Sequence, residues 1–229
     1  MAPVVALGVF ANLCQLLTVT ATARAIDLPG HGKNPRRLEN MTLGPYKDAI
    51  LHEISEPTIL LGHSMAGFLI AAATEAAPDF MGRLIFLSAY VSRDGINMID
   101  LIRAQPEQPL RIEILTQQDR PGFGLSLTRQ KELFYHDCID DIADYAIRNS
   151  QVQALAPQTT RIFLGRAYEK VAKSYIRCDY NRIIPPQYQL DMVSDWPDSS
   201  LQYITLGHFA ALADAPKLAA LLDQITKDR

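Results

Sequence analysis

The chain has 229 residues, of which 48% are hydrophobic and 21% charged, enough apolar side chain for one core of ordinary size and too much for a disordered or collagen-like chain. A formal charge of −3, with no basic run longer than Arg36-Arg37, leaves no surplus to neutralise phosphates and argues against nucleic acid as a partner. Three cysteines, Cys14, Cys138 and Cys178, lie far apart without a C-x-x-C pair, which argues against a disulfide framework and a zinc site and for reduced thiols in a cytoplasmic protein.

Residues 2–23 carry no charged side chain, and 4–17 are mostly apolar. Read as a secretory signal, the segment has a cleavage-like Ala21-Thr22-Ala23 but no basic residue before its apolar run, so export is the minority reading. Asn12, Gln15, Thr18, Thr20 and Thr22 interrupt it as a membrane span. The remaining reading is folded core: a strand over 4–10, a short helix over 11–17 and a second strand over 18–26. Beyond it, short apolar runs alternate with amphipathic stretches, the rhythm of β-α units around a parallel sheet.

Residues 58–61 form a strand that leads into Gly62-His-Ser-Met-Ala-Gly67, and 68–77 form a helix stopped by Pro78. Residues 83–91 read as a fully buried strand. From 92 to 160 the chain is polar, with loops at Pro106, Pro109, Pro121 and Gly124 and helices over 128–135 and 140–147, which predicts a small helical cap inserted between core strands. Strands over 174–178 and 201–206 and an amphipathic helix over 216–225 complete one α/β domain, 1–229.

Gly62-x-Ser64-x-Ala66 has the form of a serine at the tip of a sharp strand-to-helix turn, where the flanking residues must be small. Ala66 stands where the strict pattern has Gly. The start of the following helix offers the Met65 N–H to an oxyanion. Such a serine needs a base, and of the five histidines His208 is the candidate, because it follows the last strand in a Gly207-His208 loop and fits the chain order serine, acid, histidine. His31 organises its own Pro-Gly-His-Gly turn, while His52 and His136 sit in or near helical patterns. His63 and Phe209, neighbours of the serine and the base, are read as lining the substrate pocket.

Together these motifs resemble the α/β-hydrolases of the esterase and hydroxynitrile-lyase group, which includes plant methyl-ester esterases and bacterial esterases. The resemblance is carried by Asp27-Leu-Pro-Gly-His-Gly32, Gly62-His-Ser-Met-Ala-Gly67, Phe134-Tyr-His-Asp-Cys138, Tyr175-Ile-Arg-Cys178, Arg182-Ile-Ile-Pro185 and Gly207-His208-Phe209. It implies a mostly parallel sheet flanked by helices, a cap over the serine, and neither cofactor nor metal.

Two departures from that pattern bear on activity. The resemblance puts the acid that orients His208 at position 181, which here is Asn181; an amide cannot supply charge to the imidazolium and can favour the wrong tautomer. Asp179 shares a strand face with it and is the second choice, with Asp94 a distant reserve. The family's early strand also ends in a His-Gly loop that supplies an oxyanion N–H, and no His-Gly precedes His31. The 4–10 stretch is expected to stand in for that strand, with Gly8 offering its N–H; a misplaced start or a frame change ahead of Arg24 would account for the divergence.

The leading functional expectation is a serine esterase acting on small carboxylic esters. The alternative is a degenerate hydrolase that binds a small ligand or a partner without turnover, motivated by Asn181. Cyanohydrin cleavage ranks lower, since the lyases of the group resemble one another in a Lys after the histidine, where Phe209 stands. Dehalogenation is disfavoured because it uses a carboxylate nucleophile. The expected partner is a small-molecule ester, with no nucleic acid and no membrane, and homodimer formation stays open.

Overall fold

The structure, a computed structural model, describes residues 4–7, 10–18, 23–32, 34, 37, 41–107, 116–117, 120–123 and 127–227. Its centre is a six-stranded sheet in the order β2-β1-β3-β4-β8-β9, formed by β1 (Val4–Leu7), β2 (Ala23–Ile26), β3 (Thr58–His63), β4 (Met81–Leu87), β8 (Lys173–Cys178) and β9 (Leu201–Ile204). All five pairings are parallel. A parallel sheet carries helices on both faces, so its strands are apolar on both sides. The alternation is visible residue by residue. Leu60, Leu84, Phe86 and Tyr175 pack into one core with α2 (Leu43–His52) and α3 (Ala66–Ala76), while Ile59, Leu61, Ile85, Leu87, Ile176 and Ile204 pack into the other with α1 (Ala11–Leu16) and the C-terminal helix α11 (Ala215–Lys227).

The expected N-terminal strand is present as β1, which pairs with both β2 and β3 and so lies inside the sheet. Gly8, the expected oxyanion donor of that segment, lies outside the described residues, as do positions 19–22 of the expected second strand. Thr18 donates from its backbone N–H to the Asp223 carboxylate at 3.2 Å, which pins the end of α1 to α11. On α11, Leu218, Ala219, Leu222 and Ile225 are buried at spacings of one to four residues, the stripe that an amphipathic helix turns inward.

The crossover from β4 to β8 holds the segment expected from the sequence to form a cap, which keeps that label below: α4 (Met98–Ala104), β5 (Thr116–Gln117), β6 (Arg120–Phe123), α5 (Leu127–Phe134), α6 (Asp140–Arg148), β7 (Gln153–Ala154), α7 (Ala156–Thr159) and α8 (Arg166–Lys170). The helices expected over 128–135 and 140–147 are present as α5 and α6, and the segment also holds strands that were not expected, because β5, β6 and β7 pair as a three-stranded antiparallel sheet. Pro121 was expected in a loop, and backbone pairing with Thr116 of β5 places it in a strand instead. Glu75 at the end of α3 accepts from the N–H groups of Gly165 (2.9 Å) and Tyr168 (3.1 Å), capping the short α8 from another helix. The core continues through α9 (Pro186–Asp191) after β8 and α10 (Ala210–Ala213) after β9. Among the described residues no helix is long and apolar enough to cross a membrane, and no group of three potential ligands could hold a metal.

Candidate active site

Strand β3 runs through Gly62 and His63, and the chain reverses at Ser64 into α3. Ser64 has φ 53°, in the left-handed region that a residue with a side chain adopts at a cost of about 1–3 kcal/mol, and such positions cluster where function requires them. The turn closes because its neighbours are small. A Cβ on Gly62 would meet the Ala66 carbonyl oxygen at 2.8 Å, and one on Gly67 would meet the Tyr90 carbonyl oxygen at 2.2 Å. Ala66 itself is accommodated as a buried residue at the start of α3. Tyr90 N–H donates to the Ser64 carbonyl at 3.1 Å and locks the elbow to the chain after β4. Met65 stands at the N-cap of α3, where helix geometry leaves backbone N–H groups without an intrahelical acceptor.

His208 follows β9 at the same carboxyl edge of the sheet and is 1% exposed. Three elements grip it. His63 Nε2 donates to the His208 carbonyl at 2.7 Å, with the two rings 4.5 Å apart. The Asp137 carboxylate in the cap accepts from Gly207 N–H, just before the histidine. Asn181, in the turn after β8, has its Nδ2 3.1 Å from His208 Nδ1. Phe134, Tyr135 and Phe209 complete an aromatic cluster, with Phe209 stacked on Tyr135 at 5.0 Å. Among the described residues, no hydrogen bond joins Ser64 Oγ to His208.

Position 181 sets which kind of group faces His208 Nδ1. Asn181 Oδ1 accepts from the N–H groups of Ile183 (2.7 Å) and Ile184 (3.0 Å), so the amide oxygen must face those two donors. The NH₂ end then faces His208 Nδ1 and Ser88 Oγ. With a donor on Nδ1, the imidazole proton sits on Nε2. That tautomer donates from Nε2, whereas a base toward a serine needs a lone pair there. Turning the amide over would set its NH₂ against two buried N–H groups, each left unsatisfied at about 1–3 kcal/mol.

Burial pushes the His208 pKa well below 6.5, and the neighbouring His63 adds to the shift. Burial likewise takes His63 from 6.5 down to about 4, against the opposing effect of its bond to the His208 carbonyl. Both rings are neutral at neutral pH.

Asp179, the second choice for the acid, has its carboxylate held by Arg177 at 2.7 Å, and the side chain beside His208 Nδ1 is that of Asn181. The strand ends at Cys178 and the chain turns, with Asn181 N–H donating to the Cys178 carbonyl at 3.3 Å, so the alternation of a strand no longer puts residues 179 and 181 on one face. His63, expected to line the substrate pocket, is 9% exposed and braces the His208 loop through its bond to the His208 carbonyl. Asp94 accepts from Leu164 N–H at 2.9 Å in the cap and is engaged there. His31 reaches across to the cap, with Nε2 3.0 Å from Gln153 Oε1, and His52 is exposed at the end of α2.

Sequence reasoning missed Ser88 and the contact of Asp137 with Gly207. Ser88 is fully buried with φ 43°, ends β4 and meets the Asn181 NH₂; nothing local in Leu-Ser-Ala-Tyr signals it. Burial pushes Cys178 up to about 12 and Cys138 up to about 11, which leaves both thiols protonated and unfit as nucleophiles.

The comparisons with known proteins agree with this architecture. The chain is 26% identical over 222 residues to methylesterase 4 of Arabidopsis thaliana, a match that covers 88% of this chain and 84% of that protein. The crystal structure of polyneuridine aldehyde esterase superposes with a TM-score of 0.86 at 20% identity, covering 99% of each chain. A pyrethroid hydrolase from Sphingobium faniae JZ-2 superposes with a TM-score of 0.85 at 19% identity, covering 99% of this chain and 98% of that one. The sequence model of the alpha/beta hydrolase family matches residues 8–221, and the chain belongs to that family.

Proposed function

We propose that this protein is a serine hydrolase of small carboxylic esters whose turnover is held down by Asn181. Ser64 Oγ attacks the ester carbonyl, and the Met65 N–H stabilises the oxyanion that forms. His208 Nε2 takes the serine proton and delivers it to the leaving alcohol. Water then attacks the acyl-serine, with His208 again as base, and releases the acid. The observation that carries the reading is Ser64 at φ 53° on a glycine-flanked elbow, with a buried neutral histidine on the adjoining loop. Relatives described as methylesterases support the substrate class.

For the base to work, His208 must shift its proton to Nδ1, facing the Asn181 NH₂ donor to donor, and no carboxylate compensates the imidazolium. An acid-to-amide change of this kind lowers kcat by about 10⁴ in a serine protease, and a loss of that order is expected here. The test is hydrolysis of p-nitrophenyl esters of short acids. Asn181→Asp should raise kcat/KM by about 10³–10⁴, and Ser64→Ala should remove activity in both backgrounds.

A second reading is favoured by the same fixed amide: a ligand-binding protein that retains the fold without turnover. It takes the lead if Asn181→Asp folds and gains nothing.

A further inference from the structure

The loop that presents His208 is held on one side by a residue of the cap. The Asp137 carboxylate accepts from Gly207 N–H, and its other oxygen, Oδ1, is buried without a hydrogen-bond partner. Oδ1 and the Asp137 Cγ lie against the Gly207 Cα, so that a Cβ at position 207 would meet them at 2.5 and 2.9 Å. This explains glycine before the histidine by space alone. The next residue's carbonyl accepts from His63 Nε2 at 2.7 Å.

We propose that Asp137 is a positioning residue for His208, making the seating of the cap and the placement of the base one mechanical unit. The proposal rests on the esterase reading for its kinetic consequence. A half-buried carboxylate that accepts a backbone N–H fixes that peptide more firmly than a neutral acceptor does, and leaving the N–H unsatisfied frees the loop to turn. A displacement of the base by about 1 Å costs about 10²-fold in rate. The carboxylate touches neither Ser64 nor the His208 ring through a hydrogen bond, so its effect reaches the chemistry through the Gly207-His208 backbone.

The experiment compares Asp137→Ala, Asp137→Asn and Gly207→Ala in wild type and in Asn181→Asp. In the Asn181→Asp background, Asp137→Ala should lower kcat about 10–100-fold with KM unchanged, and Asp137→Asn, which still offers an oxygen, should recover most of it. Gly207→Ala should lower kcat similarly, and the double variant should lose no more than either single one, because both break one contact. If Asp137→Ala does not fold, Gly207→Ala supplies the same readout. The second readout is the ring ¹⁵N spectrum of His208 in histidine-labelled protein, which needs no turnover. Asp137→Ala should shift or broaden the His208 signals. Unchanged His208 signals, or a loss carried by KM alone, would overturn the proposal. If Asn181→Asp neither hydrolyses esters nor labels at Ser64, the esterase reading fails instead, and the His208 spectrum decides the role of Asp137.

Discussion

A carboxylate and an amide have nearly the same shape, and at position 181 the difference is the direction of one hydrogen bond. The Ile183 and Ile184 N–H groups would hold one oxygen of either side chain. An aspartate would then offer a second acceptor to His208 Nδ1–H, whereas the amide offers a donor. A carboxylate at 181 also favours the imidazolium and raises the His208 pKa. The acid limb of kcat/KM should therefore move upward, toward neutral pH, in Asn181→Asp; a pH profile that stays in place would contradict this. Asp179→Ala, which removes only the partly exposed pair with Arg177, should leave turnover unchanged in the same assay.

His63 makes a separate prediction about stability. Its folded pKa, about 4, is below the ordinary 6.5. Above 6.5 the ring is neutral in both states and its full contribution to stability is present. As the pH falls from 6.5 toward 4, the unfolded chain takes a proton that the fold refuses, and stability drops by on the order of 3 kcal/mol. His208, shifted the same way, adds to the loss. Across that window, Tm of the wild type should fall more steeply than Tm of His63→Gln, and parallel curves would refute the assignment. The position of Asn181 was legible from the motif around Arg182. The sense of its amide was not, because backbone groups two and three residues further on set it.

At the scale of elements, the elbow depends on how closely α3 approaches the chain after β4. Gly67→Ala improves helix propensity by about 1 kcal/mol, yet its Cβ would stand 2.2 Å from the Tyr90 carbonyl, a contact that must be relieved by moving backbone. The net effect should be a loss of about 2–3 kcal/mol in denaturant unfolding, and a neutral or stabilised variant would show that the approach is looser than the structure has it. Strong periodic segments were readable in the sequence: α3, α6 and α11 lie where the apolar spacing put them, within a few residues. Strand β4 was expected to reach Val91 and stops at Leu87, because Ser88 turns into the left-handed region and releases the chain to pass beneath the elbow. The strands of the cap were hidden because four residues containing Pro and Gly carry no alternation to detect.

For the whole molecule, the sheet order places β3, β4, β8 and β9 side by side, so that Ser64, Ser88, Asn181 and His208 leave the sheet at one carboxyl edge. That convergence follows from the parallel topology, in which every strand ends at the same edge. The cap's hold on the His208 loop through Asp137, and on the early turn through His31 and Gln153, joins residues more than sixty positions apart and leaves no local mark.

The central claim is that Ser64 is a built nucleophile kept quiet by the Asn181 amide. Its most direct test is the rate at which a fluorophosphonate labels Ser64, followed by intact mass, in wild type and Asn181→Asp with Ser64→Ala as control. The account predicts stoichiometric labelling in both, lost in Ser64→Ala and faster by about 10³-fold or more in Asn181→Asp. Equal rates in the two proteins would contradict it, since His208 would then be a competent base with the amide in place.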